Sequence, residues 1–186
     1  MADVMRCWET SDPAYNTYHD DEWGRPILEE RGLYERLCLE GFQSGLSWLT
    51  ILRKREAFRA GFAGFDPDEV ARFGEREVTR LLADAGIVRH RGKIEAAIAN
   101  ARATVALRGS TPLPELLWSY APERSGVAAD EGAAVLAKDL RKRGFRFVGP
   151  TTVLSAMQAC GVVNDHRPDC WVRQAVEAER TTALAT

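Results

Sequence analysis

The chain has 186 residues, 45% of them hydrophobic and 28% charged, with a net charge of −2. That balance supports a packed globular core and excludes a charge-swollen disordered chain. No apolar run approaches the length of a membrane span, and a near-neutral total confines any nucleic-acid contact to a local patch.

Residues 1–12 lack the basic region and apolar stretch of a signal peptide, so the cytoplasm is the expected compartment. In a reducing compartment, four cysteines favour metal binding or burial over disulfides. Cys7 and His19 stand near the N-terminus, and His166 and Cys170 near the C-terminus. Two thiolates and two imidazoles form a complete tetrahedral zinc set, so a shared metal would staple one end to the other. The spacing matches no common zinc finger, and unlinked Cys and His residues fit it as well. Pro168 places the second pair on a turn.

Tyr15, Tyr18 and Trp23 crowd the same N-terminal stretch, with Trp8 nearby. Leu33, Leu37 and Cys38 form a helical apolar stripe that runs into Leu39-Glu40-Gly41. Glu40 therefore faces inward or lies at a pocket rim, where a carboxylate beside aromatic faces needs a donor or a cation. A methylated, positively charged purine supplies both, and aromatic faces attract it as well. Core packing of the aromatics with a surface Glu40 is the plain alternative.

Trp48, Ile51, Leu52 and Phe58 continue the helical pattern. Asp66-Pro67-Asp68-Glu69 predicts a helix start, with Asp66 as cap, Pro67 at the first position and Glu69 closing a capping box. Val78, Leu81, Leu82 and Ala85 follow at helical spacing until Gly86. Gly86-Ile87-Val88-Arg89-His90-Arg91-Gly92-Lys93 then reads as a hairpin. Gly86 would take a left-handed turn, Ile87 would point inward, and Gly92 would admit close backbone approach. The next helix would offer its N-terminus to a phosphate, with Arg89, Arg91 and Lys93 adding charge. An ordinary helix turn with a solvated basic loop is equally compatible. Further basic clusters, Arg53-Lys54-Arg55 and Lys138 with Arg141, Lys142, Arg143 and Arg146, read singly as solvated faces.

Ile94, Ala97, Ile98, Ala101 and Val105 mark an amphipathic helix, and Pro112 and Pro114 open a short one through Trp118. Residues 107–131, with three prolines, read as a connection between two lobes. Ala133, Leu136, Ala137 and Leu140 mark a helix closed by Gly144. Residues 145–148 are strand-like but too short to found a sheet, and 152–160 form a helix between Pro150 and Gly161. Cys38 and Cys160 sit in apolar patterns as core fillers. The polar, alanine-rich tail after Val176 is expected to fray. The fold class is all-α.

Several stretches together resemble the DNA-3-methyladenine glycosylase I family, a branch of the helix-hairpin-helix glycosylase superfamily. They are Arg6-Cys7-Trp8, Tyr18-His19-Asp20, Glu22-Trp23-Gly24, Leu39-Glu40-Gly41 and Gln43-Ser44-Gly45-Leu46-Ser47-Trp48. In the second half they are Asp84-Ala85-Gly86-Ile87, Arg89-His90-Arg91-Gly92-Lys93-Ile94, Lys142-Arg143-Gly144-Phe145 and Phe147-Val148-Gly149. Met157-Gln158-Ala159-Cys160-Gly161 and Val163-Asn164-Asp165-His166 complete the series.

The resemblance implies a two-lobed all-α fold, one catalytic domain over 1–186, and a base pocket between the lobes. It implies monofunctional excision of 3-methyladenine from alkylated double-stranded DNA. A monomer is expected because no apolar repeat demands a partner, and no membrane contact is expected because no apolar run is long enough. The resemblance also implies a structural zinc on Cys7, His19, His166 and Cys170. Carried over by position, Glu40 hydrogen-bonds the base and carries the catalytic role. Trp48 and Tyr18 stack on the base, and Tyr15 and Trp23 complete the wall. Gly45 and Leu46 approach the gap in the duplex, and Gly86, Arg89, Arg91, Gly92 and Lys93 hold the backbone. Two departures stand out: a residue is missing between Cys7 and Trp8, which displaces Trp8, and the tail is longer. Asp165 reads as a helix-end cap or a partner of the His166 imidazole rather than a catalytic acid.

Overall fold

The computed structural model describes residues 4–185, so the expected domain span of 1–186 passes beyond the described residues at both ends. The described residues are helical without a strand. Chain order is α1 Pro13–Asp21, α2 Glu30–Gln43, α3 Trp48–Gly61, a 3-10 turn Ala63–Phe65, α4 Pro67–Ala71, α5 Glu75–Ala83 and α6 Arg91–Leu107. Then come α7 Leu113–Ser119, α8 Pro122–Ser125, α9 Ala129–Lys142, α10 Pro150–Ala159 and α11 Arg173–Leu184. No helix among the described residues is long and apolar enough to cross a membrane.

Helix α2 is the axis of the molecule. It packs against α3, α6, α7 and α10, and every residue from Leu33 to Phe42 except Glu35 is buried. A helix enclosed on all sides has no single apolar stripe, because its neighbours take every face. Full burial of Leu33, Leu37 and Leu39 contributes roughly 1.5–3 kcal/mol each. Two charged residues, Arg36 and Glu40, are buried with them.

Helix starts follow local side-chain chemistry. Asp12 accepts from the Tyr15 N–H at 3.2 Å, and Ser47 accepts from the Thr50 N–H at 3.3 Å. Asp66 caps α4 through the N–H groups of Asp68 and Glu69, with Pro67 at the first position. Glu69 does not close a capping box; its carboxylate turns to Arg72 at 2.6 Å. The helical run expected from Asp66 to Gly86 is split at Gly74, whose N–H is taken by Glu77 at 2.8 Å to start a new helix. Residues 145–148 are not a strand, and Phe147 has φ +54°. Residues 107–131 carry the short helices α7 and α8. Cys38 and Cys160 are buried free thiols in the core.

Through Ala185 the tail is docked, against the expected fraying. Helix α11 is anchored by Val176 and by Arg180, which is 2% exposed. The Arg180 guanidinium donates to the carbonyls of Gly161 at 2.6 Å and Val162 at 2.9 Å, and pairs with Glu123 and Glu177. A polar composition concealed this docking because the anchoring group is itself charged. Gly161, at φ +76°, sits where a Cβ would meet the Gly24 carbonyl oxygen at 2.6 Å, so the α10 terminus and the α1–α2 connection touch backbone to backbone. Arg180→Ala is expected to lower the unfolding free energy by about 2–4 kcal/mol, since buried carbonyls lose their charged donor. Urea unfolding measures it, and a change below the error of the method would exclude the anchoring role.

Candidate active site

Helix α2 delivers Glu40 to a cavity of about 130 Å³ lined by Trp8, Tyr15, Tyr18, Trp23, Glu40, Gln43, Trp48, Ser155 and Gln158. A water in bulk occupies ~30 Å³, so the space suits a few waters or one flat heterocycle. Tyr18 and Trp48 stand 5.2 Å apart at 41°, and Trp8 lies 5.0 Å from both Tyr15 and Trp23. All five sequence-designated wall and anchor residues, Tyr15, Tyr18, Trp23, Glu40 and Trp48, therefore share one hollow. Trp8, Gln43, Ser155 and Gln158 join them without having been designated. Trp8 was legible from its place beside Cys7. Ser155 and Gln158 lie far along the chain, on α10.

Glu40 is 6% exposed, and no group among the described residues donates a hydrogen bond to its carboxylate. Burial pushes its pKa up to about 7, opposed by the Arg36 charge one helical turn earlier. Arg36 lies outside the cavity lining. Its Nη1 donates to the Tyr18 hydroxyl at 3.1 Å, and its guanidinium carbon is 5.3 Å from the ring centres of both Tyr18 and Trp48. Glu22 stands 4.0 Å from Arg36 and is held by Arg55. The chain Arg36–Glu22–Arg55 thus holds the back of the aromatic wall and leaves Glu40 undonated. The buried indole nitrogens of Trp8 and Trp48 also lack partners, and unpaired buried donors beside a hollow mark a ligand's place.

The four designated metal-ligand residues converge. One atom each from Cys7, His19, His166 and Cys170 lie within 4.8 Å of one another. His19 Nδ1 faces Asp20 at 2.8 Å, and His166 Nδ1 faces Asn164 at 3.0 Å, which turns each Nε2 toward the cluster; His19 Nε2 there accepts the Cys7 N–H at 3.1 Å and lies 3.5 Å from Cys170 Sγ. His166 Nε2 is buried without a partner. The donor set and spacing fit a tetrahedral divalent cation. Asp165 is not the imidazole partner that its position suggested; it is exposed and accepts from Gln158 at 2.8 Å, leaving Asn164 to hold the ring. The cluster is built into the cavity wall: Trp8 packs on His19 at 4.7 Å, and Trp23 packs on His166 at 4.5 Å.

A second groove of about 270 Å³ adjoins this cavity, sharing Glu40, Gln43 and Ser155 and adding Ser44, Gly45, Leu46, Thr151 and Thr152. Gly45, at φ +81°, and Leu46, 42% exposed, form its protruding lip.

The hairpin between α5 and α6 forms, but its residues divide. Arg89 is exposed with no acidic partner among the described residues, and Ile87 is buried as expected. Arg91 pairs with Glu75 at 2.9 Å and Glu95 at 3.4 Å. Lys93 does not project toward a phosphate. Its ammonium is folded inward onto the carbonyls of Phe42 at 2.8 Å and Ser44 at 2.6 Å, closing the C-terminus of α2. Gly86 is not left-handed; it is small because a Cβ would meet the Ala57 Cβ at 2.8 Å. His90 caps α6 by accepting the Lys93 N–H at 3.2 Å, occupying one amide expected to be open to a ligand. Gly92 lies under His90 and Phe147. The Arg53-Lys54-Arg55 cluster is committed to Asp12, to the Ala85 and Gly86 carbonyls, and to Glu22.

With this geometry in place, comparison with known proteins is decisive. The family model for methyladenine glycosylase matches residues 8–174. The chain belongs to that family. It is 47% identical over 179 residues to DNA-3-methyladenine glycosylase 1 of Escherichia coli K12, covering 90% of this chain and 96% of that protein. It is similar to a crystal structure of 3-methyladenine DNA glycosylase I with TM-score 0.84 and 46% identity, over 90% of this chain and 98% of the other. A structure addressing 3-methyladenine recognition by the Staphylococcus aureus enzyme matches with TM-score 0.82 and 36% identity, over 88% and 93% of the two chains. Membership makes the chain a glycosylase.

Glu40 carries a pH signature. Its folded pKa of about 7 lies above the ordinary 4.5, so between those values the folded state holds the extra proton and stability falls as pH rises. Glu40→Gln removes that loss. Its stability advantage over the parent is expected to be small at pH 4.5, to grow toward pH 7 and to level off at about 3 kcal/mol. Denaturant unfolding across pH checks it; a pH-independent difference would contradict a buried, undonated carboxylate.

Proposed function

We propose that this chain releases 3-methyladenine from alkylated double-stranded DNA by hydrolysing its N-glycosidic bond, leaving an abasic site for base excision repair. The supporting observation is the Glu40 carboxylate, undonated inside an aromatic cavity. A base within a duplex must be extruded before it reaches such a pocket. The alkylated purine arrives positively charged, which suits one anion and several π-faces and disfavours a neutral adenine. That charge already weakens the glycosidic bond, so no residue has to protonate the leaving base. Glu40 and the rings of Trp48 and Tyr18 hold it, while Tyr15 and Trp23 close the wall. Water then attacks the sugar carbon. Lys93 is committed to two carbonyls, which accords with hydrolysis without a lysine adduct.

Gly45 and Leu46 enter the gap left in the duplex, and the α5–α6 turn grips the backbone as a helix-hairpin-helix element, with Arg89 as its uncommitted charge. Cys7, His19, His166 and Cys170 would hold one structural zinc, because two thiolates and two imidazoles supply a complete tetrahedral donor set. When bound, zinc supplies a crosslink between the chain ends that steadies Trp8 and Trp23. We read 1–186 as one catalytic unit, monomeric and cytoplasmic, with DNA and not a membrane as partner.

Incubation with methylated DNA is expected to release 3-methyladenine, identified by chromatography. Trp48→Ala is expected to abolish the release, and DNA binding without any freed base would leave only a damage-binding module. The parent kcat/KM is expected to rise as pH passes about 7, because Glu40 must be ionised to attract the cation. In Glu40→Gln the rate should be low and flat with pH. Elemental analysis should find one zinc per parent chain and a loss in Cys170→Ser; equal zinc-free preparations would refute the crosslink.

A further inference from the structure

The cavity lining includes a pair that the glycosylase reading leaves without a task, Gln158 and its partner Asp165. Gln158 lies on α10 one turn after Ser155, and both line the hollow that holds Glu40. Gln158 is half-buried, and Asp165 is exposed. Gln158 Nε2 donates to Asp165 Oδ2 at 2.8 Å, and this is the only hydrogen bond of either side chain among the described residues. A carboxylate accepts and does not donate, so it dictates which end of an amide it meets. The Nε2 end of Gln158 is turned to Asp165, and its Oε1 end is left without a donor.

Asp165 stands on a stiff mount. Asn164, before it, donates to the Arg173 carbonyl at 3.3 Å and to Glu177 at 2.7 Å, and accepts the His166 N–H at 3.3 Å. His166, after it, is buried. The Val163 N–H donates to the Met157 carbonyl at 3.1 Å, which ties this loop to the stretch of α10 that carries Gln158. The carboxylate is thereby kept within reach of the Gln158 amide.

We infer that Gln158 is a specificity-determining residue for the base, reading the group on carbon 6 of the purine through its Oε1, and that Asp165 is the positioning residue that sets the amide this way round. The task is one that charge and aromatic faces leave undone. An alkylated guanine is as cationic as an alkylated adenine, so π-faces and one carboxylate attract both. The two differ at carbon 6, where a 6-aminopurine offers two N–H donors and a 6-oxopurine offers lone pairs. A neutral acceptor beside Glu40 meets a donor on the amino base. Against the oxo base it faces another acceptor out of water, which is costly. The inference rests on the glycosylase reading for its ligand.

The test measures binding of free 3-methyladenine and free 3-methylhypoxanthine, which differ only in the group on carbon 6. Calorimetry on the parent, Gln158→Leu, Asp165→Ala and Asp165→Asn gives the ratio of the two affinities, with zinc content and thermal unfolding followed in parallel. The parent should prefer 3-methyladenine. Gln158→Leu should lower that preference about tenfold, or about 1.4 kcal/mol, by weakening 3-methyladenine alone. Asp165→Ala should lower it about threefold, since a released amide presents either end. Asp165→Asn keeps an acceptor oxygen and should restore the parental ratio. Zinc content and unfolding temperature should stay parental throughout. A parental ratio in Gln158→Leu would overturn the inference. So would equal weakening of both bases, which would reduce Gln158 to packing, or zinc loss in Asp165→Ala, which would assign Asp165 to the metal cluster. Base release from methylated DNA is scored separately: its absence in a parent that shows the preference would sink the glycosylase reading and keep the assignment of Gln158.

Discussion

A carboxylate kept inside a protein without a donor is the constraint around which this molecule is arranged. Glu40 is held there because α2 is enclosed by four other helices and cannot rotate its charged face to solvent. Arg36, the cation whose charge acts on Glu40, sits one turn earlier and donates its hydrogen bond to the Tyr18 hydroxyl. Glu40 is thus left with a poor environment for its charge, which a cationic ligand would improve. In the proposed function, selectivity for a charged base over a neutral one would follow from that imbalance.

The aromatic wall is fixed from two directions. Behind Tyr18 and Trp48 lies the Arg36–Glu22–Arg55 chain. Behind Trp8 and Trp23 lie the imidazoles of His19 and His166, each oriented by its own partner, Asp20 or Asn164. The Cys and His cluster therefore shares ring contacts with the cavity lining, so ordering the chain ends and ordering the pocket are the same packing problem. Helix α11 adds to this closure through Arg180, whose bonds to Gly161 and Val162 hold the segment leading to His166.

Much of the site was legible because its chemistry is carried by residue types that are rare and costly to misplace. Paired Cys and His at both ends, and aromatics around a lone Glu40, mark by kind the residues that the structure gathers into one four-donor cluster and one aromatic cavity. Basic residues are far less informative, since they serve surface charge, ion pairing and carbonyl capping alike. Lys93 and Arg91 share a turn with Arg89, yet one closes α2, one pairs with two glutamates, and one is uncommitted. Asp165 and Asn164 are neighbours with opposite assignments for the same reason.

Periodicity and local turn signals determined an all-helical protein, the helix starts at Asp66, Pro112 and Pro150, and the buried Cys38 and Cys160, while the family resemblance supplied the pocket residues. Tertiary structure decided which face of α2 is enclosed, that the polar tail docks, that the run after Asp66 breaks at Gly74, and that Ser155 and Gln158 reach the cavity. It also decided the left-handed turn at Phe147, through a side-chain clamp from Asn100. The division is physical. Helix periodicity and capping act within one or two turns of chain. The fate of a buried charge or a strained turn depends on partners brought together only when distant segments pack.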